Sequence, residues 1–309
     1  MRRPVPVVRG TAHRSDTHDL DPALWRAYDE DPDDPLKFGT IWSFPERDKS
    51  AGHKGDYRGN FAPQVPRQCI RRFSRVGDLV LDPFLGSGTT LVECARLGRR
   101  GVGVELNPTV LELARGRVHG ALAEVGAPGP GALHRLVLGD ARDLSEHLGD
   151  SSVDLAVAHP PYHGIIKYSD GLPGDLSCAA NYPAFLRSLD QCFAEVLRVL
   201  KPGRHFCVLL GDAWADGELI PIGFDGFAAA RALGFVPHAV VIKEQHNVSG
   251  KRGKQGIWKW RSVRWGTFLF QHEYLFVFRK PGRPARRPEL HPLVSPVPHQ
   301  EATPCPTKC

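Results

Sequence analysis

Two short motifs contain residue types that could bind a nucleoside and act on it. The first is Asp82-Pro-Phe-Leu-Gly-Ser-Gly-Thr89, which ends an apolar run and precedes a helical pattern. Glycines let the backbone approach a ligand that side chains would exclude, so a strand, a glycine turn and a helix are typical of a nucleotide-binding unit. Many such turns hold no ligand, and the turn alone is a modest signal.

The second motif is His159-Pro-Pro-Tyr162, which also follows an apolar run. Prolines lack N–H donors and hold the backbone extended, so their carbonyl groups can accept from a ligand's amino group. The tyrosine offers a flat face to a planar ring. A rigid strand exit with a surface tyrosine is the alternative interpretation, but the glycine turn earlier in the chain favours a binding site.

Acids follow the next two predicted strands after the glycine turn. Glu105 lies where an acid in a doubly wound sheet reaches ribose hydroxyls, and Asp140 fits a contact to an adenine edge. The turn has neither the GxGxxG spacing of dinucleotide sites nor a GxxxxGK[ST] phosphate loop. A nucleoside cofactor without a pyrophosphate is therefore favoured over NAD or ATP.

The elements that position these motifs alternate between strand and helix patterns from residue 78 onward. The predicted strands are Leu79–Phe84, Gly101–Leu106, Leu133–Leu138, Val153–Ala158, Phe206–Leu210, Val236–Ile242 and Tyr274–Phe278. Helical patterns lie near 90–97, 108–123, 183–200 and 222–233, and Phe38–Phe44 is strand-like or a packed loop. This alternation predicts an α/β fold with a mostly parallel seven-stranded sheet and helices on both faces. A loop joins the last two strands, which favours an antiparallel final strand.

Composition sets the broad class. The chain has 309 residues, 41% of them hydrophobic, which suits one large domain with a full core. We expect a loosely ordered arm over residues 1–37, a catalytic domain over 38–281 and a proline-rich tail over 282–309. No apolar run reaches membrane-spanning length and no signal core is present, so we expect a soluble cytoplasmic protein. The seven cysteines form no CxxC pair, which favours free thiols without a metal.

Taken together, the two motifs resemble those of the S-adenosylmethionine-dependent DNA amino-methyltransferases, which modify cytosine N4 or adenine N6. The resemblance spans roughly residues 38–281 and includes Tyr57-Arg-Gly-Asn-Phe-Ala-Pro63 and Arg198-Val-Leu-Lys-Pro-Gly203. It implies a Rossmann-like methyltransferase fold with S-adenosyl-L-methionine as the cofactor. The cofactor-binding residues that it implies are Asn60, Pro63, Asp82, Phe84, Gly86, Ser87, Gly88, Thr89, Glu105, Leu106, Asp140 and Ala141.

The resemblance also implies a catalytic set of His159, Pro160, Pro161 and Tyr162. The target base would be flipped out of the duplex and stacked on Tyr162, while the His159 side chain and the Pro160 carbonyl hold its amine. His159 departs from the family, in which Asp, Asn or Ser is usual. In the family, serine at this position is associated with cytosine N4 and aspartate mostly with adenine N6, so the resemblance, with a neutral imidazole as the acceptor, favours cytosine N4. If His159 must be neutral, activity should fall below its ordinary pKa of about 6.5.

A basic, aromatic insert at about 243–270 is the predicted DNA-recognition segment. The interval between Asp140 and His159 is too short for a recognition domain, so sequence readout must come from elsewhere. Three glycines predict a flexible loop, suited to phosphate and stacking contacts. The candidate DNA-binding residues are Lys243, Lys251, Arg252, Lys254, Trp258, Lys259, Trp260, Arg261 and Arg264. The alternative is a solvated loop whose tryptophans pack on the core.

The expected partners are double-stranded DNA and, as in many enzymes of this family, a cognate restriction endonuclease. The formal net charge of +6 mildly favours such a polyanionic partner. Three alternatives stay open: an RNA or tRNA amino-methyltransferase, a non-catalytic nucleic-acid-binding protein on a methyltransferase fold, and a protein-glutamine methyltransferase. No RNA-binding module is recognisable in the sequence, and a basic aromatic insert has no role in glutamine methylation.

Overall fold

A computed structural model describes residues 35–50, 52–124, 126, 133–164, 166–215, 217–246 and 255–282. The predicted arm over residues 1–37 and the tail over 282–309 lie almost wholly outside the described residues. Three candidate DNA-binding residues, Lys251, Arg252 and Lys254, also lie outside them.

Ten strands and six helices make up the described part of the chain. The strands are β1 (Ile41–Trp42), β2 (Leu79–Asp82), β3 (Arg100–Glu105), β4 (His134–Leu138), β5 (Val153–Ala158), β6 (Leu200–Leu210), β7 (Ala213–Ala215), β8 (Glu218–Ile220), β9 (Val236–Glu244) and β10 (His272–Arg279). The helices are α1 (Gln64–Phe73), α2 (Thr89–Arg96), α3 (Pro108–Glu124), α4 (Tyr182–Val199), α5 (Ile222–Leu233) and α6 (Gln255–Trp265).

Eight of these strands form one sheet in the order β1-β9-β10-β6-β5-β2-β3-β4. Neighbours pair in parallel except β10, which is antiparallel to both β6 and β9. The prediction of a mostly parallel sheet with an antiparallel last strand is therefore confirmed. The predicted number of strands, seven, was wrong. The eighth is β1, which pairs Ile41 with Ile242 and extends the sheet beyond β9. In addition, β7 and β8 form a separate hairpin that the sequence did not predict.

The sheet is buried on both faces because its central strands alternate between two cores. Ala156, Ala158 and Phe206 pack on one face with helices α4 and α5. Leu155 and Val157, their neighbours along β5, pack on the other face with helix α1. Successive side chains of a strand point to opposite faces, so near-continuous apolar runs such as β5 are required in a doubly covered sheet. Helices α2 and α3 form a third cluster at the other end of that face.

The sequence motifs lie together at the carboxyl edge of the sheet. The glycine turn follows β2, Glu105 ends β3, Asp140 follows β4 and His159 follows β5. Because β10 runs antiparallel, it is the start of this strand that lies at the same edge, with Glu273 paired in register with Lys243. Open α/β sheets bind their ligands at this edge.

The structure of the segment between β9 and β10 differs from the prediction. It was expected to be a flexible loop, but residues Gln255–Trp265 form helix α6. The loop prediction depended on the glycines at 250, 253 and 256, of which only Gly256 lies within the helix. Residues 257–265 contain no glycine or proline, and their lysine, arginine and tryptophan side chains are compatible with a helix.

Candidate cofactor and catalytic site

The glycine turn between β2 and α2 is held by a buried acid. Asp82 is 1% exposed and its carboxyl accepts hydrogen bonds from the Thr90 hydroxyl and the Phe84 N–H. Burial raises the pKa of Asp82 to about 7. Asp82 therefore ties the end of β2 to the first turn of α2, and it does not line the cleft that the turn borders. Its predicted contact with a cofactor stays a prediction.

Two glycines of the turn have left-handed backbone conformations. Gly86 has φ of 51° and Gly88, which precedes α2, has φ of 91°. A Cβ atom on Gly86 would lie 3.3 Å from the ring of Tyr57, and one on Gly88 would lie 3.3 Å from Ala114. Glycine is thus required at both positions by conformation and by close approach.

Glu105 is joined to the glycine turn by a hydrogen bond. One carboxylate oxygen accepts from the Gly86 N–H at 2.8 Å and the other from the Asn107 N–H at 2.9 Å. Burial raises the pKa of Glu105, and the nearby Asp175 adds to that increase. Each carboxylate oxygen retains a lone pair that could accept from a ligand hydroxyl.

Asn60 provides a free donor beside the same turn. Its Oδ1 accepts from the Ser87 hydroxyl at 2.7 Å, which fixes the side-chain amide. Its Nδ2 is buried and has no hydrogen-bond partner among the residues that the structure describes. An unpaired buried donor is costly, so this amide is prepared for an acceptor on a ligand.

A cleft of about 810 Å³, counting its opening to solvent, runs along this edge of the sheet. The predicted site residues that line it are Asn60, Phe84, Gly86, Thr89, Glu105, Leu106, Asp140, Ala141, His159 and Pro161. The predicted residues that do not line it are Pro63, Asp82, Ser87, Gly88, Pro160 and Tyr162. Its glycine turn, paired acid, unpaired amide and apolar walls fit a nucleoside cofactor.

Asp140 lies at the cleft, but it already has a cationic partner. The Arg142 guanidinium contacts both Asp140 oxygens, with Nη2 at 2.6 Å from Oδ2. The same carboxylate accepts from the Arg142 backbone N–H at 2.9 Å. A contact from Asp140 to an adenine edge would therefore use the acceptor capacity that Arg142 leaves.

Two tyrosines and an acid of the cleft wall are not among the predicted cofactor-binding residues. Tyr57 and Tyr168 face each other with ring centroids 6.2 Å apart, and Asp175 lies on the same wall. Burial raises the pKa of Tyr168 to about 12. Tyr168 and Asp175 thus place residues that follow the His-Pro-Pro-Tyr motif in the wall of the cleft. In the sequence, these tyrosines are indicated only by their positions, Tyr57 before the glycine turn and Tyr168 after the His-Pro-Pro-Tyr motif.

His159 is held on three sides at the end of β5. Its Nε2 lies 3.1 Å from the Tyr162 hydroxyl, and its ring centroid is 5.4 Å from that of Phe61. Burial lowers the pKa of His159; Glu273 and a hydrogen bond to the Gly59 backbone act in the opposite direction. The lowered pKa favours the neutral imidazole, which is the form that the predicted hydrogen bond from the amine requires.

Glu273 joins this cluster from the neighbouring part of the sheet. One of its oxygens lies 3.9 Å from His159 Nε2, and the other accepts from Lys243 Nζ at 2.8 Å. Burial alone would raise the pKa of Glu273, but Lys243 and His159 outweigh it and lower the pKa. Lys243, which was predicted to contact DNA, has its ammonium paired with Glu273 and its side chain only 13% exposed. Glu273 was missed, although an acid in the apolar run of β10 was a signal.

Helix α6 presents aromatic and cationic side chains together. The Arg261 guanidinium lies 5.3 Å from the Trp258 ring centre, and that of Arg264 lies 5.3 Å from the Trp260 ring centre. Trp260 is 58% exposed and Trp265 is 60% exposed. These two tryptophans therefore do not pack on the core. Lys259 is exposed on the same helix.

Membrane-spanning helices and metal-binding clusters are both absent from the part of the chain that the structure describes. There, no helix is long and apolar enough to cross a membrane. Within the same residues, no three His, Cys, Asp or Glu side chains lie close enough together to hold a metal ion.

The sheet and the glycine turn define a Rossmann-like methyltransferase fold. Residues 16–116 match the family model described as DNA methylase, N6_N4_Mtase. This match includes the glycine turn and Glu105 and ends before His159. The resemblance to the DNA amino-methyltransferase family is thus confirmed.

Individual relatives agree over short stretches. Type II methyltransferase M.MjaII of Methanocaldococcus jannaschii is 41% identical over 68 residues, which are 22% of this chain and 13% of that protein. Type II methyltransferase M.SmaI of Serratia marcescens is 36% identical over 98 residues, 30% of this chain and 32% of that protein. The chain spans less than a third of the length of these relatives.

One similar solved structure is TTHA0409 of Thermus thermophilus, a putative DNA modification methylase complexed with S-adenosyl-L-methionine. It is 29% identical, with 49% of this chain and 57% of that chain covered and a TM-score of 0.34.

Proposed function

We propose that this protein is an S-adenosylmethionine-dependent DNA methyltransferase that modifies the exocyclic amino group of a flipped base, and that the base is cytosine, modified at N4. The observation that supports it best is the shared cleft, which Glu105 and the glycine turn line at one end and His159 and Pro161 at the other. A cofactor bound by the first pair and a base held by the second would meet in one space.

Each polar side chain of the cofactor site would have a distinct role in binding. Glu105 would accept from the ribose hydroxyls, because its oxygens already face the glycine turn through Gly86. Asn60 Nδ2 would donate to an acceptor on the methionine portion, since it has no other partner. When bound, S-adenosyl-L-methionine supplies an electrophilic methyl group.

The base site would align the amine for attack on that methyl group. An exocyclic amine is a poor nucleophile, because its lone pair is delocalised into the ring. The neutral imidazole of His159 and the carbonyl of Pro160 would accept its N–H bonds and draw the nitrogen toward tetrahedral geometry. Positioning of this kind supplies much of the acceleration in such reactions. The ring of Tyr162, whose hydroxyl is fixed beside His159, would stack on the flipped base.

DNA would be contacted by helix α6. It connects the end of β9 to the start of β10, and both lie at the carboxyl edge with His159. Its exposed Trp260, Lys259 and Arg264 combine stacking surfaces with phosphate-binding charge. Cytosine N4 is favoured over adenine N6 because His159 is a neutral acceptor, like the serine that is associated with cytosine-N4 enzymes at this position. A cognate restriction endonuclease is the proposed biological partner.

The test uses the purified full chain with S-adenosyl-L-methionine and unmethylated genomic DNA, with total RNA as a parallel substrate. Nucleoside mass spectrometry should show N4-methylcytosine in the DNA and no methylation of the RNA. Base-resolution mapping would then give the sequence context. N6-methyladenine in the DNA would correct the base, methylated RNA would correct the substrate, and no binding of the cofactor in calorimetry would favour a non-catalytic protein.

A further inference from the structure

The His159 imidazole and the Glu273 carboxylate form a buried pair that the proposed methyl transfer does not yet use. Glu273 reaches His159 from β10, while Lys243 of β9 binds the opposite carboxylate oxygen. The side chains of both His159 and Glu273 are mostly buried, at 13% and 10% exposure. Interactions between charges in such a site are stronger than in water.

We propose that Glu273 is a positioning residue that acts through His159, so that the imidazole takes the proton which the amine must release on methylation. This inference rests on the proposed function. The pair lies where that proton would be released, because His159 lines the cleft and a Glu273 oxygen lies beside the imidazole, 3.9 Å from the Nε2 that would meet the amine.

Methyl transfer would leave one surplus proton on the amine, and His159 would accept it. The amine lone pair forms the new N–CH₃ bond, the S–CH₃ bonding pair stays on sulfur, and the nitrogen becomes a cation with one surplus proton. His159 takes that proton, and the N–H bonding pair returns to nitrogen and the ring. The imidazolium is then paired with the Glu273 carboxylate until the proton passes to solvent. A protonated aryl-type amine is a much stronger acid than imidazolium, so a histidine with a lowered pKa is still a sufficient base.

The neighbouring groups permit this exchange. His159 Nε2 must leave the Tyr162 hydroxyl to meet the amine, and that hydroxyl keeps two other partners, the Gly211 backbone and Glu273. The charged and titratable groups that face His159 are Glu273, Lys243 and Tyr162. Lys243 lowers the pKa of His159 and Glu273 raises it, so the carboxylate is the only one of the two that favours the imidazolium.

The test combines single-turnover methylation with NMR titration of His159 in the full chain. Glu273→Gln should reduce the methyl-transfer rate about 10-fold, the factor that corresponds to a one-unit fall in the pKa of the base through which Glu273 acts. It should also lower the pKa of His159 by about one unit, because a facing negative charge is lost. Glu273→Asp should restore part of both. The matched control is Glu244→Gln, an exposed acid that ends β9, which should change neither.

A double-mutant cycle tests whether Glu273 acts through the imidazole. In the background His159→Asn, adding Glu273→Gln should change the remaining rate less than about 3-fold, because the coupling has been removed. Cofactor calorimetry verifies that every variant is folded. If the wild type methylates DNA and Glu273→Gln has the same rate or leaves the His159 pKa unchanged, the inference is overturned. If the wild type methylates no DNA, the proposed function itself fails, and the proton step fails with it.

Discussion

Glu105 accepts a hydrogen bond from the backbone N–H of Gly86 at 2.8 Å, so the acid that ends β3 and the turn that follows β2 form one unit. The acid is therefore oriented before any ligand arrives. Glu105→Gln should weaken S-adenosyl-L-methionine binding about 10-fold or more in calorimetry, because an amide has one acceptor oxygen in place of two. Glu112→Gln, at an exposed acid on α3, is the matched control and should bind normally. Equal affinity of the two variants would exclude Glu105 from the site.

Replacing His159 should reduce methyl transfer without weakening cofactor binding. His159→Ala removes the acceptor at the end of β5 and leaves the glycine turn and Glu105 in place. Methyl transfer to DNA should fall about 100-fold or more in single-turnover assays. The dissociation constant for the cofactor should change less than about 3-fold. Undiminished methylation by this variant would remove His159 from the mechanism.

The pH dependence of the rate follows from the burial of His159. Its pKa lies below the ordinary value, so the neutral, accepting form persists to lower pH than in a free histidine. The midpoint of the acid limb should therefore lie below about 6.5, which moves the boundary expected from the sequence. A rate profile of the wild type between pH 5 and 8, measured at saturating cofactor and DNA, would show this. A midpoint above 6.5 would contradict the burial argument.

The basic face of α6 should govern DNA affinity. The double variant Lys259→Ala with Arg264→Ala should weaken binding and reduce the slope of log K against log salt by about two, since two phosphate contacts are lost. The matched control removes Arg75 and Arg100, two exposed arginines near the amino ends of β2 and β3, at the opposite edge of the sheet. It should leave binding unchanged. Similar losses in both double variants would indicate a general effect of net charge.

A buried ionic network near α1 and α2 should govern stability rather than activity. Glu93 is fully buried and binds His53 Nε2 at 2.6 Å and Arg67 Nε at 2.7 Å. Glu93→Gln removes the acidic partner of His53 and one of those of Arg67, which keeps Asp48, and it should lower the free energy of unfolding by about 3–5 kcal/mol. Glu112→Gln, which breaks the exposed pair with Arg115, should cost less than about 0.5 kcal/mol. Chemical denaturation of both variants measures the difference.

The same network has a predictable pH dependence. Burial alone would raise the pKa of Glu93, but the hydrogen bonds from His53 and Arg67 outweigh it and lower the pKa. A depressed pKa means that the contribution of Glu93 is present above its unfolded value of about 4.5 and is lost as the pH falls below it. The wild type should therefore lose more stability than Glu93→Gln between pH 6 and 3. Parallel curves for the two proteins would refute this assignment.

The sequence predicted the sheet well because its strands are nearly continuous apolar runs. Val153–Ala158 and Ile222–Leu233 have the predicted bounds, since local composition determines them. Helix α6 was missed because glycines before it outweighed a helix-compatible run.

The partners within the site were harder to foresee. Glu273 and Lys243 meet only through the antiparallel register of β9 and β10, which no local pattern encodes. Asp82 faces inward to Thr90, although its motif predicted a ligand contact.

The antiparallel β10 has a consequence for the order in which the protein becomes competent. The glycine turn, Glu105 and His159 are synthesised early, whereas Glu273 arrives with a strand that inserts between β9 and β6. A nascent chain can thus complete the glycine turn and Glu105 while the carboxylate beside His159 is still absent. Insertion of one late strand would then complete the sheet and bring Glu273 to His159 in the same event, so the cluster forms only when the fold is complete.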